Sequence, residues 1–111
     1  MRRIIFTLII ILSIFSKSNS EEIKRIIVGN KDAKISIIAF ESLTCSHCAD
    51  FHKEVYPQLK NEYIDTGLAK IEFRHFPLDM AAFNASKISQ CKNDGESNIL
   101  NRLFLNQQKW V

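Results

Sequence analysis

The sequence predicts an α/β fold: a strand, a helix and a second strand in one right-handed parallel crossover, with further helices after it. Three stretches carry this expectation. Ile35-Ser36-Ile37-Ile38-Ala39-Phe40 is nearly continuous apolar, as a strand covered on both faces would be. Phe51, Val55, Leu59 and Tyr63 recur every fourth residue, one stripe of a helix. Lys70-Ile71-Glu72-Phe73-Arg74-His75-Phe76 alternates in the manner of a strand and stops at Pro77. Strand, helix and strand in that order form a crossover unit.

Taken from the start, the chain opens with a leader. Met1-Arg2-Arg3 is basic, Ile4 to Phe15 is apolar apart from Thr7 and Ser13, and Ser16-Lys17-Ser18-Asn19-Ser20 turns polar with small residues at Ser18 and Ser20. This is the layout of a secretory signal peptide over 1–20, cleaved after Ser20. Its apolar run is short of the ~20 residues a membrane span needs, and an uncleaved membrane anchor is the alternative. No cysteine follows the run, so a lipid anchor lacks its acceptor. Three of the 15 Lys and Arg residues lie in this leader, which has no acids, so residues 21–111 balance twelve basic against twelve acidic side chains. A nucleic-acid partner, which needs a clustered basic face, is excluded. From Glu21 on, about ninety residues remain, enough for one small domain.

Within that domain, Ile23 to Val28 is β-prone and reads as an edge strand, closed by the turn Gly29-Asn30-Lys31-Asp32. The apolar run 35–40 follows, and Glu41-Ser42-Leu43-Thr44 leads out of it. Pro57 should kink the striped helix, because it lacks a backbone donor and crowds the preceding turn. Thr66-Gly67 ends that helix. Beyond the second crossover strand, Asp79 is placed to cap a helix through Cys91 with Ala81, Ala85, Ile88 and Cys91 on one face. After the break Asn93-Asp94-Gly95, a last helix presents Ile99, Leu100, Leu103, Phe104 and Val111 and runs to Trp110-Val111 with no stop signal.

Cys45-Ser46-His47-Cys48 falls at the corner between the apolar strand and the striped helix. Two thiols three positions apart can close a small disulfide ring there. The unpaired N–H groups and dipole of the helix start then favour the first thiolate. Export to an oxidising space makes such a pair stable or catalytic, and the bland reading is a structural or inert pair.

Phe40 through Cys48, the Pro-kinked helix, and a strand ending Phe76-Pro77-Leu78 resemble the DsbA-type thiol–disulfide oxidoreductases of the thioredoxin-like superfamily. Gly29-Asn30-Lys31-Asp32-Ala33 is similar to their entry segment, and Leu103-Phe104 through Trp110 to part of their helical insertion. The resemblance covers roughly Ile26 to Trp110. It implies a thioredoxin-like βαβ unit followed by part of a helical insertion, about 79–111, in an incomplete domain over 21–111 whose C-terminal ββα portion is missing. Two departures stand out. The dipeptide between the cysteines is usually Pro-His and here is Ser46-His47. The only prolines, Pro57 and Pro77, do not occupy the place of the family's cis-proline loop.

The function implied is an exported disulfide oxidoreductase, periplasmic or secreted, that forms disulfide bonds in reduced or unfolded secreted proteins. A membrane quinone-linked oxidase would reoxidise it, and no cofactor is implied. In that mechanism Cys45 attacks or is attacked, forming a mixed disulfide, and Cys48 resolves it. His47 stabilises the Cys45 thiolate, which favours the reduced form and makes the disulfide more oxidising. Two rivals stand beside it. One is a truncated non-catalytic remnant of the family that depends on a partner, since an incomplete sheet leaves a bare edge and apolar faces. The other is a small zinc site drawing on Cys45, Cys48, His47 and His52 or His75, although a second spaced ligand pair is absent. Among single residues, Glu41 reads as an exposed corner carboxylate, or as a proton relay to Cys48 if buried. Cys91 reads as a core residue, or as a thiol pairing elsewhere. His52 is expected on a solvated helix face, and His75 as a satisfied strand-end histidine beside Ile71 and Phe73.

Overall fold

The computed structural model describes residues 20–111, and the expected leader lies outside the described residues apart from Ser20. Three strands form one sheet: β1 (Ile26–Gly29), β2 (Ile35–Glu41) and β3 (Ala69–His75), in the order β1-β3-β2. β3 runs parallel to β2, with Ile37 opposite Ile71 and Glu41 opposite His75, and antiparallel to β1, with Ile26 opposite Phe73. The helical run 46–64 (α1) makes the β2–β3 crossover, and α2 (Met80–Ser89) and α3 (Asn98–Leu105) follow.

The register sorts the strand residues onto two faces, since alternate side chains point oppositely. Ile26 of β1 and Ala69, Ile71 and Phe73 of β3 are buried against the helices with Leu43, Tyr56, Ile64, Leu100 and Phe104. The other face carries Ile27, Ile38 and Phe40, all exposed, around the pair Glu72–Arg74, whose guanidinium meets the carboxylate at 2.8 and 3.2 Å. β2 was expected to be covered on both faces. Among the described residues β3 takes the middle place, and β2 lies at the edge with Ile35, Ile38 and Phe40 open to solvent. A continuous apolar run thus marked a strand correctly but not the cover over its faces.

Pro57 disturbs α1 as its chemistry requires. The run is α-helical at Ser46–Asp50, widens to π-helical turns at Phe51–Val55, tightens at Tyr56–Leu59 and widens again at Lys60–Ile64. The wide turn ahead of the proline absorbs the hydrogen bond it cannot donate. It also rotates the buried face. Val55 and Tyr63 of the expected stripe are exposed, and Ala49, His52, Tyr56 and Ile64 point inward instead.

The other two helices are shifted in a similar way. Asp79 Oδ1 accepts from the Ala82 N–H at 2.7 Å, the expected N-cap, but α2 stops at Ser89 and buries Ala82, Ala85, Ser86 and Ser89. Ala81, Ile88 and Cys91 are exposed; the small row faces inward, and its two serines bond within the helix, to the Ala82 and Ser86 carbonyls. α3 buries Leu100 and Phe104 but ends at Leu105, giving way to a short 3₁₀ turn at Gln107–Lys109 that leaves Val111 exposed. Gly29, where β1 leaves the sheet, has φ +109°, and a Cβ there would stand 2.8 Å from the Ala69 carbonyl oxygen. Only glycine fits that approach.

Candidate active site

β2 and α1 meet at a corner held by backbone and side-chain hydrogen bonds. The Cys45 N–H donates to the Ser42 carbonyl at 3.0 Å, and Cys45 is the N-cap residue of α1 with extended φ −76°, ψ 120°. Thr44 Oγ1 donates to Asp79 Oδ2 at 2.7 Å, which ties the corner to the start of α2. The Ala82 N–H, and after it that hydroxyl, hold the Asp79 carboxyl below its ordinary range. From the far side, the buried Gln107 amide donates to the Leu43 carbonyl at 2.8 Å and the Cys45 carbonyl at 3.0 Å. Gln107 is a site residue the sequence did not announce; a glutamine after an amphipathic helix carries no signal of its own.

The two thiols are free and half-buried, and they differ in character. Cys45 has its pKa lowered, first by the backbone N–H of Cys48 and then, against a burial penalty, by the Cys48 thiol and the His47 N–H. Cys48 is pushed up to about 11, chiefly by burial and further by the charges of Cys45 and Glu41. The helix start thus favours one thiolate of the pair and the interior disfavours the other. His47 reaches Cys45 through its backbone. Its ring is 94% exposed, with Nδ1 3.9 Å from Asp50 Oδ2.

Two expectations are corrected beneath the corner. Glu41 is 5% exposed rather than an open carboxylate, and His52 is 3% exposed rather than on a solvated face. They meet: His52 Nε2 lies 2.9 and 3.0 Å from the two Glu41 oxygens, and Nδ1 lies 3.1 Å from Asn101 Oδ1. The wide turn of α1 brings His52 inward, and the pleat of β2 places Glu41 on the helix-covered face. His75 stays at the end of β3, half-buried, with Nε2 2.8 Å from Ser89 Oγ and its pKa lowered by burial. Cys91 is exposed, not in the core. Among the described residues no group of three or more His, Cys, Asp or Glu is placed to hold a metal. His52 and His75 are each engaged away from the cysteine pair. Among the same residues no helix is long and apolar enough to cross a membrane.

Several known proteins resemble the chain. A family model described as thioredoxin matches residues 21–111. A protein of Rickettsia bellii named "Putative protein-disulfide oxidoreductase" is 40% identical over 86 residues, 76% of this chain and 33% of that protein. Among solved structures, alpha-DsbA1 of Wolbachia pipientis is 38% identical with a TM-score of 0.72, covering 78% of this chain and 45% of its own. A protein-disulfide isomerase from Novosphingobium aromaticivorans is 29% identical with a TM-score of 0.73, over 78% and 44%. The chain therefore spans about a third of that curated relative and under half of those solved chains. With its strand–helix–strand core, its helices and a matching family model, the chain belongs to the thioredoxin family and is similar to the DsbA-type proteins within it.

Proposed function

We propose that residues 21–111 act, after export and removal of the leader 1–20, as a thiol–disulfide oxidoreductase that places disulfide bonds in secreted or periplasmic proteins. The observation that carries the reading is the asymmetry of the pair: an activated thiol at the start of α1 beside a suppressed one a turn further in. In the oxidised form a substrate thiolate attacks Cys45 Sγ. The Cys45–Cys48 bond breaks and its electron pair leaves on Cys48, which takes a proton; Glu41, buried beneath it, is the group that exchanges that proton. A second substrate thiolate then attacks the substrate sulfur of the mixed disulfide and expels Cys45 as its thiolate. Two substrate thiols become one disulfide and the Cys45–Cys48 disulfide becomes two thiols. A membrane quinone-linked oxidase would restore it. His47 contributes its N–H to the departing Cys45 thiolate, and its exposed ring is free to meet the substrate.

The test is oxidation of a reduced model protein by the purified chain from Glu21, with an external oxidant to recycle it. Catalysis is expected, and Cys45→Ser should abolish it. A second reading is favoured by the open edge of β2 and the exposed Ile38 and Phe40: a form that works only with another polypeptide over that face. No catalysis by the chain alone, with or without Cys45, would favour that one.

The thiol chemistry is also readable by pH. With Cys91 replaced by serine, iodoacetamide should label Cys45 first, at pH values below its ordinary range, while Cys48 should react appreciably only toward pH 11. The linkage signs are opposite. The lowered Cys45 contributes stability to the reduced protein above its unfolded pKa, lost as pH falls through the folded one. The raised Cys48 contributes below its unfolded pKa, lost as pH rises through about 11. Equal labelling of both thiols at neutral pH would contradict the assignment.

A further inference from the structure

Just past α3 sits a buried amide that reaches the reactive corner, although the exchange between Cys45 and Cys48 does not itself employ it. We propose that Gln107 is a positioning residue for Cys45: its amide fixes the peptide groups on either side of Thr44-Cys45 and so aims the sulfur at the backbone N–H groups of the turn that follows. This rests on the reading of Cys45 as the activated thiol.

Hydrogen-bond geometry leads there. Gln107 is 3% exposed, and its Nε2 donates to the Leu43 carbonyl at 2.8 Å and to the Cys45 carbonyl at 3.0 Å. Both partners are carbonyl oxygens, which only accept, so the NH2 end of the amide faces them and each of its two hydrogens has a target. Leu43 is wholly buried, so its carbonyl needs a donor from the protein. The amide is also launched from a fixed place. The Gln107 carbonyl accepts from the Trp110 and Val111 N–H groups, both at 3.1 Å, and the Trp110 indole donates to the Leu103 carbonyl at 2.9 Å.

The two bonds act on two peptide groups. The Leu43 carbonyl belongs to the one leading into Thr44, and the Cys45 carbonyl to the one leading into Ser46. Holding the second fixes ψ of Cys45, here 120°, the rotation that sets its side chain against the turn beginning at Ser46. The same oxygen accepts from the Ala49 N–H at 3.2 Å, so Gln107 and α1 grip one atom between them. The N–H groups of Cys48 and His47 favour the thiolate only where the sulfur stands within their reach. The titratable groups around that sulfur are His47, Cys48 and Asp50 on α1, with Glu41 at the end of β2. Asp79 at the start of α2 bears on the corner through Thr44, and Lys109, beside Gln107, turns its ammonium to Asn106 Oδ1 at 2.8 Å. Exchanging Gln107 for another neutral side chain leaves all of these charges in place.

The experiment is the pH profile of Cys45 alkylation by iodoacetamide in the full chain carrying Cys48→Ser and Cys91→Ser, which leaves Cys45 as the sole thiol. Gln107→Met fills much the same space without a donor. Alkylation at a fixed neutral pH is expected to slow about fivefold, with the profile displaced to higher pH. An unchanged or faster rate overturns the proposal. Burial opposes the Cys45 thiolate, so mere loosening of the corner would speed the reaction. A Gln107 that only steadies the fold would lower the unfolding midpoint and leave the profile where it was. Gln107→Asn, one methylene shorter, should slow the reaction in the same sense by a smaller factor, and it decides the matter should Gln107→Met fail to fold. A lowered profile that Gln107→Met leaves unmoved sinks this proposal alone. An ordinary thiol profile before any change at Gln107 sinks the reading of Cys45 together with it.

Discussion

Replacing Cys48 by serine is expected to turn the chain from a catalyst into a trap. Cys45 keeps its place at the start of α1, where the N–H groups of His47 and Cys48 stabilise its thiolate, so attack on a disulfide-containing protein proceeds. The bond formed is Cys45–S–S–substrate and the group released is the other substrate thiolate. No second thiol stands beside the new disulfide to break it, since Cys91 lies exposed on the segment after α2. The adduct therefore accumulates toward one per chain, and turnover falls to the uncatalysed rate. Non-reducing gels and intact mass report it directly. An adduct that clears as quickly as with both cysteines present would show that Cys48 is not the resolving thiol.

Phe104→Ala is expected to have the largest effect on stability. The ring is fully buried and stacks on His52 at 4.2 Å, between the helices and the inner face of the sheet. Truncating a buried phenylalanine costs about 3–5 kcal/mol, because the lost contacts leave a cavity that rigid neighbours cannot close. Small domains hold only about 5–15 kcal/mol in all, so much of the folded population should be lost at moderate denaturant. Urea unfolding followed by the fluorescence of Trp110, the single tryptophan, measures it. A loss under about 1 kcal/mol would mean that α3 is not seated against α1 as described.

Much of this architecture was legible because it rests on local chemistry. The alternation from Lys70 to Phe76 marked β3, the apolar run 35–40 meeting the helical stripe marked the corner, and Asp79 marked the α2 cap. The faces were harder. The four-residue repeat of Phe51, Val55, Leu59 and Tyr63 assumes a regular helix, and the widened turns around Pro57 carry Val55 and Tyr63 outward while His52 comes inward. A histidine at an apparently solvated position gave no sign of a partner, because Glu41 lies eleven residues away on a different element. The same limit hid Asn101 and Gln107, whose roles exist only once α3 docks. β2 misled for another reason. Its apolar run reports composition, and whether a face is covered is decided by what packs on it.

The amide of Gln107 has a consequence for timing. It satisfies the Leu43 and Cys45 carbonyls from 64 and 62 positions downstream, so the bend that presents the reactive sulfur lacks its clasp until nearly the entire described polypeptide has emerged from the ribosome. A nascent chain halted before that glutamine has the ties through Ser42 and Asp79 but leaves the Leu43 and Cys45 carbonyls without this donor. Completion of the bend is thereby postponed to a late moment of biosynthesis, after the sequence that encodes both thiols has long been made.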